Sequence, residues 1–193
     1  MRKCKSLGMT LLEMLLTLSL LMILSNFAIA AYTSLVTRMR VHTATSELHS
    51  GLLYARAEAI KHGGNVIICR SVSTHEKTPS CDGTGSDSQS NSGWGDGWLI
   101  FHDANADGEV SESDTLLGVQ GKLFSTPEQG AIVPSPNRKL IRFNAFGQVY
   151  GTFMQFAVLG SKTGSPQSLN RYICIASGGR ARVDTKLCNG KIK

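Results

Sequence analysis

The sequence predicts an α+β protein in which one long N-terminal helix packs on an antiparallel β-sheet domain. Three features support this: an apolar N-terminal segment, a continuation of it with helical spacing, and short apolar runs from Asn65 onward that are separated by turn residues. We therefore expect a short segment over 1–8, the first half of the helix over 9–35, and a globular domain over 36–193 that contains the second half of the helix.

The apolar segment from Met9 to Tyr32 carries one charge, Glu13, and follows eight residues with three bases and no acid. This length suffices to cross a hydrocarbon core of about 30 Å, with the basic flank in the cytoplasm. A secretory signal peptide cleaved near 28–31 is the alternative, but the apolar run is too long for one and no helix break follows it. The sequence thus predicts a single transmembrane segment over 9–35.

The helix is predicted to continue to His62, because apolar residues recur on one face and Gly63-Gly64 provides a stop. The residues expected on this face are Leu35, Met39, Leu48, Leu52, Ala55 and Ala59. The β-type runs that follow occupy 66–69, 98–101, 140–143, 153–159 and 172–176.

Charge is distributed unevenly along the chain, whose net charge is +6. Residues 73–130 contain ten acids and two bases, whereas residues 131–193 contain ten bases and one acid, Asp184. A basic C-terminal part indicates a polyanionic partner; the alternative is an ordinary solvated basic face.

Four of the five cysteines lie in the expected globular domain, and Cys4 lies in the basic N-terminal segment. No C-x-x-C and no zinc-type histidine pair occurs, so no metal site is predicted from them. In an exported domain four cysteines indicate two disulfides. Three pairings are possible, and we favour Cys69–Cys81 and Cys174–Cys188. Each of these disulfides would close a short loop and stabilise the folded state by about 3 kcal/mol.

The N-terminal motif is Gly8 followed by Met9-Thr-Leu-Leu-Glu13, which resembles the class III leader of type IV prepilins and pseudopilins. The resemblance implies that a prepilin peptidase cleaves after Gly8 and methylates Met9, although the family usually has Phe at that position. It also implies that Glu13 acts in assembly, because a carboxylate in lipid requires a cation such as the N-terminal ammonium of a neighbouring subunit.

Three further segments, 93–108, 142–147 and 175–182, resemble the GspH/FimT branch of minor pilins and pseudopilins. The resemblance implies the type IV pilin fold and partners that include other major and minor pilins, the prepilin peptidase and the inner membrane. The protein would be a single-pass inner-membrane protein before assembly and part of an extracellular pilus fibre afterwards.

The basic tail is the candidate binding site. If residues 179–183 are extended, Arg180 and Arg182 project from one face about 7 Å apart, a spacing suited to neighbouring phosphates. The expected double-stranded DNA-binding residues are Gly179, Arg180, Arg182, Lys186, Lys191 and Lys193. A Gly-Arg-x-Arg tail resembles FimT-type minor pilins, which implies DNA capture in natural transformation. The alternatives are a purely structural minor pilin that primes pilus assembly and a GspH-type pseudopilin of type II secretion.

The segment Asp103-x-Asn105-x-Asp107-Gly108 matches the start of an EF-hand calcium loop, but Asp114 stands where that loop has a glutamate. The pilin resemblance implies instead a hairpin between strands, so neither a metal nor a cofactor is predicted. No catalytic motif occurs and the five histidines are scattered, so we do not expect an enzyme.

Overall fold

A computed structural model of the chain describes residues 9–82, 92–151, 153–161 and 167–188. The chain divides into two compact units, Met1–Val36 and Thr37–Lys193. One helix, α1 (Leu11–His62), contributes residues to both units, and every strand belongs to the second.

The first unit contains the start of α1. Thr10 precedes the helix, and its hydroxyl oxygen accepts a hydrogen bond from the Glu13 amide at 3.3 Å, as an N-cap residue does. Large apolar side chains between Met9 and Leu24 are exposed. Within the described residues, no helix is both long enough and apolar enough to cross a membrane, so the transmembrane segment expected over 9–35 stays a prediction.

In the second unit α1 buries one face, as its spacing predicts. The fully buried helix residues are Val41, Ala44, Leu48, Leu52, Ala55 and Ala59. The prediction for Leu35 and Met39 was wrong, since both are more than half exposed. Met39 lies nine residues before Leu48, about half a turn from the buried face, because each residue advances the helix by about 100°.

The helix ends where the sequence predicted. Gly63 and Gly64 have φ angles of 78° and 115°, and the Gly64 amide donates to the Ala59 carbonyl at 2.8 Å. Positive φ is readily adopted by glycine, so this pair turns the chain out of the helix.

The described strands form two four-stranded antiparallel sheets, a division that the sequence pattern does not predict. The first sheet has the order β3-β2-β1-β5, and the second has the order β4-β6-β7-β8; all neighbours are antiparallel. The strands are β1 (Val66–Arg70), β2 (Trp98–His102), β3 (Thr115–Gln120), β4 (Ala131–Ser135), β5 (Leu140–Phe143), β6 (Met154–Leu159), β7 (Arg171–Ile175) and β8 (Ala181–Asp184).

The core lies between the buried face of α1 and the sheets. Its largest members are aromatic, and Trp94 meets Phe156 edge-to-face at 4.9 Å. Full burial of one such side chain contributes about 1.5–3 kcal/mol. A second, smaller cluster surrounds the Cys69–Cys81 disulfide on the first sheet. The core thereby fixes the position of the second sheet, whose last hairpin carries the candidate site.

Candidate nucleic-acid interface

The candidate site is the hairpin that joins β7 to β8, at the edge of the second sheet. The Gly179 amide donates to the Ala176 carbonyl at 2.8 Å, and the Ala176 amide donates to the Arg180 carbonyl at 3.2 Å. These two bonds enclose a three-residue loop with a left-handed residue at its end, a common hairpin connection. The hairpin thus places Arg180 directly before the edge strand.

Gly179 holds the hairpin against the rest of the domain. It is buried, its φ is 74°, and a Cβ there would overlap the carbonyl oxygen of Gly147. The same carbonyl accepts a hydrogen bond from Arg56 Nε of α1 at 3.1 Å. The ring nitrogen Nε2 of His49, also on α1, lies 3.3 Å from the Ala181 carbonyl oxygen. The hairpin is therefore fixed by backbone contacts that only glycine permits.

Both predicted arginines lie on the surface of this hairpin. Arg180 and Arg182 are exposed, while Ala181 between them is buried, as expected for alternating side chains in an extended segment. The two arginines line one depression of about 180 Å³, together with Phe153, Cys174 and Ala176. Both arginines thus contribute to one surface depression.

Within the described part of the chain, neither guanidinium has a hydrogen bond or an ion pair. Other arginines of the domain donate to carbonyl or carboxylate oxygens; these are Arg56, Arg70, Arg138, Arg142 and Arg171. Each of these arginines therefore has at least one donor engaged in holding the fold. Arg180 and Arg182 retain their full donor capacity for an external acceptor.

A disulfide closes the segment that carries the arginines. Cys174 of β7 is joined to Cys188, with Cα atoms 5.8 Å apart, and the Cys188 amide donates to Gln155 Oε1 at 3.1 Å. Cys69 and Cys81 form the other bridge, so the pairing is the local one that we favoured. Lys186 lies within the closed segment and is exposed.

Asp184 is the acidic residue closest in sequence to the arginines. It is half-buried in β8, two residues after Arg182, and its Oδ1 accepts a hydrogen bond from the Lys186 amide at 3.2 Å. Alternation along the strand puts the Asp184 and Arg182 side chains on one face. Its charge therefore lowers the positive potential of the site.

The remaining predicted residues are placed differently. Lys191, Lys193 and Gly8 lie outside the described residues. Met9 and Glu13 are exposed. Thr10-x-x-Glu13 also has the spacing of a capping box, and the hydrogen bond from the Glu13 amide to the Thr10 hydroxyl oxygen is one half of that motif.

A larger basic depression, of about 610 Å³, lies elsewhere and is a weaker candidate. It is lined by Arg138, Lys139 and Arg142 among others. Lys139 pairs with a carboxylate of Glu109 at 2.7 Å, and Arg142 pairs with Asp103 at 2.8 Å. These internal ion pairs reduce its attraction for an external anion.

Two solved structures share the fold of this chain. Both are crystal forms of the type IV minor pilin FimU from Pseudomonas aeruginosa (strain PAO1), 20% identical to this chain. The match to the first covers 74% of this chain and 91% of the FimU chain, with a TM-score of 0.52. The match to the second covers 76% of this chain and 90% of the FimU chain, with a TM-score of 0.55. No curated protein matches the chain significantly.

The long helix packed on antiparallel sheet thus defines a type IV pilin fold. The family model described as "Type II transport protein GspH" matches residues 44–180. The chain belongs to the GspH family. The family match ends at Arg180, so β8 with Arg182 lies beyond it.

Proposed function

We propose that this protein is a minor type IV pilin that binds extracellular double-stranded DNA through the β7–β8 hairpin and so supports DNA uptake in natural transformation. The observation that carries the proposal is that Arg180 and Arg182 are exposed, line one depression and have no hydrogen-bond or ion-pair partner for their guanidinium groups among the described residues. Lys186, Lys191 and Lys193 add positive charge, and Gly179 positions the loop.

The chemistry of the pair fits phosphate better than bases. Guanidinium groups form two parallel hydrogen bonds with one phosphate, and two arginines about 7 Å apart on an extended segment suit neighbouring phosphates of one strand. One aromatic ring, Phe153, borders the depression, which is too few for a row of stacked bases. Binding is therefore expected to be independent of DNA sequence and strongly dependent on salt.

The hairpin is also held rigid before binding. The Cys174–Cys188 bridge and the Gly179 contact fix its backbone, so little conformational entropy is lost when DNA binds. Rigid presentation of two arginines compensates in part for the small size of the site.

Loss of two phosphate contacts has a calculable effect. Each neutralised phosphate contributes about 0.9 to the magnitude of the slope of log affinity against log salt concentration. Replacing both Arg180 and Arg182 by Gln is therefore expected to lower the magnitude of that slope by about 1.8. If the variant and the wild type bind equally at about 1 M salt, the affinity of the variant is about 60-fold lower at about 0.1 M salt and about 9-fold lower at about 0.3 M salt.

The test is a DNA titration of the full chain in detergent micelles at several salt concentrations, with duplexes of two unrelated sequences. The R180Q/R182Q variant is compared with K61Q/K77Q, which removes the same charge at two exposed lysines outside the hairpin. We expect the first variant to lose affinity as calculated and the second to bind nearly as the wild type does. Equal losses in both, or no salt-sensitive binding of the wild type, contradict the proposal.

A structural role alone is the competing function, and the description of the matching family as a type II transport protein favours its pseudopilin form. A pseudopilin of this kind would bind other pseudopilins and show no salt-sensitive affinity for DNA. The titration therefore separates the two functions.

Membrane insertion and processing complete the proposal. The prepilin would be held in the inner membrane by residues 9–35, cleaved between Gly8 and Met9, methylated at Met9 and then moved into the pilus. The exposed apolar side chains between Met9 and Leu24 support this, because they require lipid or neighbouring subunits to cover them.

A further inference from the structure

The loop between β2 and β3 repeats the hydrogen bonds of a calcium-binding loop. Oxygens of Asp103, Asn105 and Asp107 accept from backbone amides two to five residues ahead: Gly108 to Asp103 Oδ2 at 2.9 Å, Asp107 to Asn105 Oδ1 at 3.2 Å, and Glu109 to Asp107 Oδ1 at 2.8 Å. Gly108 has a φ of 84°, as the sharp turn at the sixth position of an EF-hand loop requires. The loop is thus curled so that its carboxylates converge.

Three carboxylates meet in this loop although it lies between strands rather than helices. Asp103, Asp107 and Asp114 each place an oxygen within 4.8 Å of those of the other two. Ionised carboxylates this close repel one another unless a positive charge compensates them.

The state of Asp103 points to a ligand. Its side chain is fully buried, and Oδ2 accepts from the Gly108 amide and from Arg142 Nη2. Oδ1 is buried as well, yet it has no hydrogen-bond partner among the described residues. A buried acceptor without a partner costs about 1–3 kcal/mol, and more when it is charged. A cation in the loop would satisfy it.

The surrounding charges leave the loop negative. Arg142 offsets part of the Asp103 charge, and Lys139 is paired with Glu109. Asp107 and Asp114 have no ion pair with a basic side chain among the described residues. Among the described residues, the carboxylates of Asp107 and Asp114 thus have hydrogen-bond donors as partners but no basic side chain.

We propose that the Asp103–Asp114 loop binds one Ca²⁺ ion through carboxylate oxygens of Asp103, Asp107 and Asp114. An all-oxygen set of ligands suits Ca²⁺, and Asn105 and water would complete the coordination. This proposal reverses the sequence prediction of no metal, because the pattern alone showed neither the convergence of the carboxylates nor the buried oxygen. The site lies on the first sheet and does not depend on DNA binding.

The affinity is expected to be in the weak range. Asp114 replaces the bidentate glutamate of an EF-hand loop, and Arg142 places a positive charge on Asp103. Extracellular calcium modules bind with dissociation constants of about 10⁻⁴–10⁻³ M, and we expect the same here.

The test is a calorimetric titration of the chelator-treated full chain in detergent micelles with Ca²⁺ alone, in a background of about 0.15 M KCl that screens diffuse attraction. Two variants, D107N and D114N, remove one proposed ligand charge each. The control is E112Q, which removes the same charge from an exposed residue of the same loop. Circular dichroism without Ca²⁺ identifies any variant that has not folded.

We expect the wild type and E112Q to bind one Ca²⁺ per chain, with a rise in melting temperature, and the folded ligand variants to bind at least tenfold more weakly. Asp107 is exposed, so D107N is expected to fold. D114N provides a second, independent test of whether a proposed ligand is needed for Ca²⁺ binding. The proposal is overturned if the wild type binds no Ca²⁺ up to about 10 mM, tenfold above the expected range. It is equally overturned if the ligand variants bind as the wild type does, or if E112Q loses as much affinity as they do.

Discussion

Replacement of Gly179 by alanine is expected to dislodge the arginine hairpin without altering any charge. The left-handed backbone at this residue costs a non-glycine residue about 1–2 kcal/mol. In addition, the new Cβ would overlap the Gly147 carbonyl oxygen, a backbone atom that cannot rotate away.

The loss in the free energy of unfolding depends on how firmly the Gly147 carbonyl and the hairpin are held. Arg56 Nε donates to that carbonyl at 3.1 Å, so Gly147 cannot move away without straining that bond. The Val149 amide donates to the Ser177 carbonyl at 3.1 Å, so a shift of the hairpin would strain this second bond. Overpacking of this kind costs about 1–3 kcal/mol. Together with the backbone term, we expect a loss of about 3 kcal/mol in the free energy of unfolding, or about 6–12 °C in melting temperature.

Gly178 provides the matched control. Its φ is not in the left-handed range and a Cβ there would meet nothing within 4 Å, so G178A is expected to melt at or slightly above the wild-type temperature. Thermal melts of the full chain in detergent, followed by the DNA titration, compare the two variants. The argument that Gly179 positions the arginines is wrong if G179A has the same melting temperature as G178A. It is also wrong if G179A has a lower melting temperature but binds DNA with unchanged affinity.

Four further outcomes are expected. D184N should raise DNA affinity several-fold at low salt, measured by titration, because it removes the acid beside the arginines. C174A/C188A should lower the free energy of unfolding by about 3 kcal/mol in denaturant melts, since the bridge spans 14 residues. Mass spectrometry of the membrane-extracted protein should find methylated Met9 as its first residue. Glu13→Ala should leave this cleavage intact but reduce incorporation into fibres, scored by immunoblot of sheared pili.

The helix and five of the strands could be predicted because each depends on local pattern. The spacing of Leu48, Leu52, Ala55 and Ala59 alone defines a buried face, and Gly63-Gly64 alone defines its end. The predictions for β1, β2, β5, β6 and β7 differ from the observed bounds by a residue or so at an end.

The remaining strands carry weak local signals. β4 contains Pro134, which lacks the amide that a central strand requires, and β4 lies at a sheet edge where this is tolerated. β3 contains Gly118 and is largely exposed, so it lacks a clear alternation. β8 is short, and the sequence predicted no strand there beyond the assumption that residues 179–183 are extended. The division into two sheets depends on long-range pairing that local sequence does not encode.

The candidate site likewise contains residues that local sequence identifies and residues that only the fold brings together. Arg180 and Arg182 were identified from their spacing, whereas Phe153 and Gly147 lie 27 and 33 residues earlier than Arg180 and are brought to the hairpin only by the fold. The buried oxygen of Asp103 is likewise a product of packing, because its sequence motif is equally compatible with an ordinary turn.

The position of β8 at the edge of its sheet has a consequence for colloidal behaviour. An edge strand offers unpaired amide and carbonyl groups to other chains, and charged side chains are a common means of preventing such pairing. In β8 that protection rests on Arg182 and Asp184, since Val183 is 47% exposed and apolar. Neutralising the arginine therefore removes a barrier to self-association as well as a phosphate contact. Sedimentation analysis of R180Q/R182Q belongs beside its DNA titration, so that chains lost to aggregates are not counted as chains that fail to bind.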